Sequence, residues 1–387
     1  MAVVSFSRAS KEAPIVEIIP LNSKQVYRAK EFASGTNGTV YEAWTPQKKF
    51  VAIKLSTNTK SALREAEILK ALKGMPYIVQ YHGHFLTTMT KQVAIITDLI
   101  PCKDLYDEFM VENSPHTFSS EKISLMCTQV LEALRILHSE KKYVHLDIKP
   151  SNLFFIPSTS QAVIADFGSA RKLDAMAFNN DPPVGTRRYW APELVFSVSY
   201  NVKIDESIDL WALGVSIFEA YTKSNFILTH RDKVSWQNDY LHLLVQNLGM
   251  PSDEFIESLC DQEQQFFQQV GGVNSLRYHF SEKSEECQRL NKSLDHLKKE
   301  SLKDYPNVLL WKVRVYKAGA DKGETQAQVE SVIRLIEGLL QYELRQRHLY
   351  SGNSWFREKI TAAGVLAMLE APYKPAVKID PPEIKEN

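Results

Sequence analysis

From Gln25 to Thr97 apolar and polar positions alternate in short runs, the period-two pattern of strands with one covered face. Gln25–Arg28, Thr39–Trp44, Phe50–Leu55, Tyr77–Tyr81 and Gln92–Thr97 are the predicted strands. Between them Leu63, Ala66, Leu69 (with Ile68) and Leu72 recur at helical spacing and predict one helix over Ser61–Leu72. After about Pro101 the period lengthens. Ile123, Met126, Val130, Leu134 and Leu137 form one apolar stripe of a helix that Ser119 or Ser120 would cap, and another helix is predicted over Ser207–Ala220. The chain therefore divides into an N-terminal extension (1–24), a small β-rich lobe with one helix (25–98), a larger mainly helical lobe (99–372) and a tail (373–387) whose prolines at 375, 381 and 382 predict extended or disordered chain. This is an α+β, bilobal organisation. A strongly charged stretch, 281–304, reads as a solvated helix or loop without chemistry.

Composition narrows the function classes. In 387 residues, 44% hydrophobic, there is enough apolar sequence for a sizeable core. Lys plus Arg total 46 and Asp plus Glu total 46, so the global basic excess of a nucleic-acid binder is missing and no nucleic-acid partner is expected. The longest apolar stretches, such as Val93–Ile96 and Val308–Trp311, fall far short of the ~18 residues of a membrane span, so no membrane association is expected either. Met1–Ser10 lacks the basic and apolar regions of a secretory signal. Cys102, Cys127, Cys260 and Cys287 lie far apart with no C-x-x-C pair, which argues against a disulfide framework or a zinc site. Together these features predict an intracellular protein, cytoplasmic and/or nuclear.

Candidate chemistry begins at Ala33-Ser-Gly35-Thr-Asn-Gly38-Thr-Val40. Glycines let a β-turn-β backbone approach phosphate oxygens closely, and Val40 would cover a base; alone, the same residues also describe a plain hairpin turn. Lys54 follows fourteen residues after Val40 on a predicted strand, and the next helix carries Glu65 and Glu67. A carboxylate there would pair with Lys54 and orient it toward phosphates. Glu65 is preferred because Leu69, four residues on, shares its face, whereas the same test gives Glu67 only Ala71. The decisive segment is His145-Leu-Asp147-Ile-Lys149-Pro-Ser-Asn152, with Asp166-Phe-Gly168 fourteen residues after Asn152. Phosphoryl transfer needs a carboxylate to orient the attacking hydroxyl and two further oxygen ligands to hold Mg²⁺. Lysine, glutamate, both aspartates and the asparagine occur in the required order.

With these motifs the sequence resembles the eukaryotic protein kinase family, serine/threonine type, over about residues 25–225 and again near 331–373. The resemblance implies a bilobal protein kinase fold, with ATP and Mg²⁺ as cofactors and a protein serine or threonine as phosphoacceptor. It implies Lys54 as the strand lysine, Glu65 as its partner, Asp147 as catalytic base, Lys149 as a γ-phosphate contact, and Asn152 and Asp166 as metal ligands. Ala33, Gly35, Gly38 and Val40 would cover the nucleotide, with Thr97 as gatekeeper and Asp98–Ile100 as the adenine-binding hinge. Gly185–Glu193 matches the end of the activation segment, where Thr186 would bridge Lys149 and Asp147, and Asp209 matches the buried aspartate that anchors the catalytic loop. A scaffold that has lost catalysis is disfavoured, because the lysine, the base and the metal aspartate are all present.

The helical lobe further resembles cyclin-dependent and MAP-type kinases: Tyr240–Ser252 is similar to the opening of their insert, and Leu339–Arg347 and Ile360–Tyr373 to its closing segment. The intervening insert, about 252–330, is a candidate surface for a regulatory or scaffold partner. Trp190 replaces the arginine that group places before Ala-Pro-Glu, and either Arg347 or Arg357 would pair with Glu193. Three departures stand out. Ala33 replaces the first glycine of the loop, only eleven residues separate Lys54 from Glu65, and Leu146 replaces the arginine that receives an activation-loop phosphate. Residues 169–184 contain no hydroxyl after Ser169, so activity is expected not to require phosphorylation there.

Overall fold

The computed structural model describes residues 7–8, 14–21, 26–35, 38–44, 50–110, 117–173, 185–197, 205–226, 244, 247–248, 267–269, 276–278 and 310–340. Seven antiparallel strands build the first lobe: β1 (Ser7–Arg8), β2 (Ile15–Ile18), β3 (Tyr27–Gly35), β4 (Gly38–Trp44), β5 (Phe50–Ser56), β6 (Tyr81–Leu86) and β7 (Val93–Asp98). Their order is β1-β3-β4-β5-β7-β6, with β2 also paired to β3. Alternation along β5 sorts the faces. Val51 and Ile53 join Ile18, Tyr27, Ala29, Ala43, Ala94 and Ile96 in a core private to the sheet. Lys54, the residue after Ile53, points the other way.

Two elements differ from the sequence-based expectation. The 1–24 stretch contributes β1 and β2, because the outer edge of β3 offers unpaired backbone groups that outweigh the weak patterning of Ile15–Ile18. Beyond β2 the same segment reaches the opposite edge of the sheet, where the Leu21 N–H donates to the Leu86 carbonyl at 2.6 Å and the Thr88 N–H to the Ile19 carbonyl at 2.9 Å. The strand expected at Tyr77–Tyr81 instead starts at Tyr81. Ile78 and Val79 are buried in the core shared with the helical lobe, and the Val79 N–H donates to the Ile164 carbonyl at 3.0 Å.

The single helix among the described residues of this lobe, α1 (Thr59–Ala71), is capped by Asn58, whose side chain accepts from the Ser61 N–H. Its inward face is Ala62, Glu65, Ala66 and Leu69; Leu63, counted above in the apolar stripe, is 41% exposed because the helix is rotated to bring Ala62 inward. That apolar face belongs to the large core of the helical lobe, not to the sheet's own core.

In the helical lobe α2 (Ser120–Arg135) is capped by the side chain of Ser119, which accepts from the Lys122 N–H at 3.4 Å. Strands β8 (Tyr143–Val144), β9 (Leu153–Ile156), β10 (Gln161–Ile164) and β11 (Arg171–Lys172) form two ribbons, β9 with β10 and β8 with β11. Helix α3 (Pro192–Ser197) leads to α4 (Ser207–Thr222), buried at every residue from Ser207 to Tyr221, as an axis apolar all round must be. A ribbon of β12 (Phe267–Gln269) and β13 (Leu276–Tyr278) precedes α5 (Leu310–Asp321) and α6 (Gln326–Leu339).

Helix α6 carries a capping box between Thr325 and Gln328 and lays Val329, Val332, Ile333, Ile336 and Leu339 on the core. Trp311 and Val315 of α5 are buried in the same core, so residues 310–330 of the expected insert are part of the lobe itself. The remainder of that insert apart from β12 and β13, the tail, Arg347 and Arg357 lie outside the described residues. Among the described residues no helix is long and apolar enough to cross a membrane.

Candidate active site

Sheet register places one half of the site. Ala33 is paired with Val40, Val40 with Lys54 and Lys54 with Ile95, one transverse row across β3, β4, β5 and β7. Directly opposed residues share a face, so Val40 and Ala33 flank Lys54, and Thr97, paired with Ala52, lies on the same face. Gly35 pairs with Gly38, and only glycine fits the latter: its φ is +133°, and a Cβ would sit 2.1 Å from the Leu55 carbonyl oxygen. Asp98 ends β7 with its side chain half-exposed beside His82, and Ile100 packs partly buried against the core. The turn residues Thr36 and Asn37 lie outside the described residues.

Beneath this face the Lys54 Nζ donates to both carboxylate oxygens of Glu65, at 2.8 and 2.9 Å, and to Asp166 Oδ1 at 2.6 Å. Glu65 is 5% exposed, whereas Glu67, on the far side of α1, faces solvent. Burial works to strip Lys54 of its proton, but the carboxylates of Asp166 and Glu65 more than offset it and raise its pKa. Burial also pushes Glu65 up, while for Asp166 the attraction of Lys54 outweighs burial and lowers its pKa from 3.8 to about 2. Asp166 has a left-handed backbone (φ +60°), and Phe167 behind it is fully buried with its ring edge-on to His145 at 4.7 Å.

The other half of the site belongs to the helical lobe. Asp209, on α4, accepts the backbone N–H of His145 at 2.7 Å and of Leu146 at 2.9 Å, and lies 2.8 Å from His138 Nε2. Burial alone would raise the Asp209 pKa, but the hydrogen bonds from His138 and His145 hold the carboxyl below its ordinary value. The loop so anchored presents Asp147. Its Oδ1 accepts both the backbone N–H and the hydroxyl of Thr186, each at 2.8 Å. Lys149 Nζ lies 2.8 Å from Asp147 Oδ2 and donates to Thr186 Oγ1 at 2.8 Å. Asn152 Nδ2 donates to the Asp147 carbonyl at 2.8 Å, which turns its amide oxygen away from the loop backbone.

A face carrying Lys54, Ala33, Val40 and Thr97 thus lies above a loop carrying Asp147, Lys149 and Asn152, with Asp166 between them. The sequence from residue 27 to 350 matches the protein kinase domain. The chain belongs to the protein kinase family. Among curated relatives, the chain is 31% identical over 189 residues to serine/threonine-protein kinase 4 homolog B of Dictyostelium discoideum, covering 48% of this chain and 16% of that protein. It is 31% identical over 204 residues to serine/threonine-protein kinase pakH of the same organism, covering 49% and 36%. To the serine/threonine-protein kinase STE7 homolog of Candida albicans it is 28% identical over 222 residues, covering 54% and 36%. The chain therefore spans well under half the length of these relatives.

Several groups that shape the kinase site carried no signal in the sequence. His138 lies 71 residues from Asp209 along the chain, and nothing in its neighbourhood marks it. Tyr189 donates to Glu219 at 2.7 Å inside the lobe, where burial raises the pKa of both. Arg314 of α5, its pKa lowered by burial to about 10, donates to the Asn225 carbonyl, and Arg188 donates to the Asn225 side chain at 2.7 Å. Arg188 and Tyr189 are thereby tied to α5 and α4.

Proposed function

We propose that this protein is a serine/threonine protein kinase that transfers the γ-phosphoryl group of ATP to a protein hydroxyl. The observation that carries the reading is the Asp147–Lys149–Thr186 triangle facing the Lys54–Glu65 pair. Asp147 accepts the hydrogen bond of the substrate hydroxyl and orients its oxygen toward the phosphoryl group. Lys149 adds positive charge beside the base, where charge spreads in the transition state. Lys54, held by Glu65, contacts the α/β-phosphates, while Ala33, Gly35, Gly38 and Val40 cover the nucleotide and Thr97, Asp98 and Ile100 border its base.

The donor set fits a nucleotide-bound Mg²⁺. Among the described residues no three His, Cys, Asp or Glu side chains gather as a metal cage. Asp166, whose low pKa keeps it ionised, and the Asn152 amide oxygen are hard donors, and Mg²⁺ is commonly held by one or two such groups plus substrate phosphates. When bound, the metal neutralises phosphate charge.

Leu146 beside Asp147, and the absence of a hydroxyl in residues 170–184, support activity without activation-loop phosphorylation. The test is transfer of labelled phosphate from Mg-ATP to a generic basic protein, followed by phosphoamino-acid analysis, with Asp147→Asn and Lys54→Met alongside. Label on serine or threonine that disappears in both variants is the expected result. Nucleotide binding without transfer would overturn the enzyme reading in favour of a scaffold, and loss of activity after phosphatase treatment would overturn the phosphorylation-independent one.

A further inference from the structure

Leu146 occupies an unusual position for a leucine. Its φ is +67°, a left-handed backbone that residues with a Cβ seldom adopt. Contacts on both sides hold it there: its N–H donates to Asp209 at 2.9 Å, and its carbonyl faces Gly185, where a Cβ would approach to 2.1 Å. Gly185 itself has φ +93°, so the two backbones meet in a contact that only glycine permits.

The side chain is buried in the same apolar cluster as Tyr189, Trp190 and Leu194 of that segment. Leu146 is 6% exposed and lines a small crevice, with room for about one water, together with Tyr189, Trp190, Leu194, Ile208 and Ala212. Three of these belong to the segment after Gly185 and two to α4. That segment carries Thr186, whose N–H and hydroxyl both donate to Asp147 Oδ1. Seating of the segment therefore decides whether Thr186 reaches Asp147, and the residue whose backbone meets the segment at Gly185 and whose side chain shares its apolar cluster is the one before Asp147.

We propose that Leu146 is a positioning residue, seating residues 185–194 on the catalytic loop by apolar packing and thereby setting the Thr186–Asp147 geometry; the proposal rests on the protein kinase reading above. Burial supplies the seating. A charged side chain at this position would face a mainly apolar wall at a desolvation cost, so a phosphate arriving elsewhere on the segment has no receiver here.

The test uses the full chain with Mg-ATP and a basic protein substrate, measuring kcat, the KM for each substrate, nucleotide-analogue affinity and thermal midpoint. For Leu146→Ala, kcat is expected to fall about tenfold, since small misplacements near the reacting atoms are costly. Nucleotide affinity should stay within about twofold, because Lys54 is untouched, and Leu146→Met, which keeps the volume, should recover most of the activity. Combined with Thr186→Ala, the loss should be far from multiplicative, because both changes break one contact. Multiplicative losses, or a drop in nucleotide affinity parallel to kcat, would overturn the proposal and leave Leu146 a core residue only. If Leu146→Ala does not fold, Leu146→Cys, smaller than leucine but not β-branched, carries the same cycle. Failure of the kinase reading is recognised separately, by wild-type protein that transfers no phosphate.

Discussion

The two charge clusters of the site are held in opposite ways. Around Asp147 every partner comes from the helical lobe, and backbone groups take part: Thr186 donates its N–H, the Asn152 side chain is bonded to the loop carbonyl, and Asp209 clamps two consecutive N–H groups of the loop. Lys54, Glu65 and Asp166 meet instead at their side-chain tips, from a strand, a helix and a turn that belong to different lobes. The first cluster is fixed once the loop has folded. The second is assembled, and a small shift of α1 would open it without disturbing Asp147. Under the proposed function, the first sets the geometry of the acceptor and the second the readiness of the nucleotide.

Substitutions separate these two modes. The largest effect is expected for Asp147→Asn, which should lower phosphoryl transfer about 10³-fold while nucleotide affinity, measured by analogue titration, stays close to wild type. Next is Asp209→Ala, which leaves the loop N–H groups and His138 without their acceptor in the interior. Denaturant unfolding should register a loss of about 3 kcal/mol, and the Asp147 cluster should fail as a unit. Lys54→Met should lower transfer about 10²-fold but leave the unfolding midpoint nearly in place, the signature of a cluster that is assembled, not built in. Glu65→Gln keeps a hydrogen-bonding partner for Lys54 and should cost about tenfold. A midpoint that dropped for Lys54→Met as far as for Asp209→Ala would erase the distinction.

The smallest effect concerns a lysine outside both clusters. Lys322 donates to the Tyr221 carbonyl at 2.7 Å and sits over the Tyr221 ring, and burial lowers its pKa from 10.5 to about 8, opposite to the direction of Lys54. The unfolded chain keeps this proton up to the ordinary value while the folded chain gives it up earlier, so stability must rise with pH between those two values. Relative to Lys322→Met the gain should be about 1 kcal/mol after allowance for partial exposure, read from melts across that range. A flat difference would mean that the carbonyl contacts hold the lysine charged.

The order of the motifs made much of the site legible, because Lys54, Asp147, Asn152 and Asp166 are each fixed by local chain geometry. The inward face of α1 was also readable, since Glu65 and Leu69 must share it while Glu67 cannot. Contacts decided by distant parts of the chain were not. Nothing near His138 announces Asp209, and the left-handed backbone of Leu146 follows from Asp209 gripping two successive N–H groups, which no propensity encodes. The fold divides the same way: α2 and α4 follow from their patterns, whereas β1 and β2 are strands only because β3 has an edge to fill.

That edge has a practical consequence. Residues 15–21 lie against β3 at one side of the sheet and the end of β6 at the other. A chain shortened to begin at Tyr27, where the family similarity starts, would keep every group of the site yet expose two rows of unsatisfied backbone, a template for other molecules to add strands. Poor solubility of such a fragment would then report on lost edge protection and not on a defective catalytic apparatus.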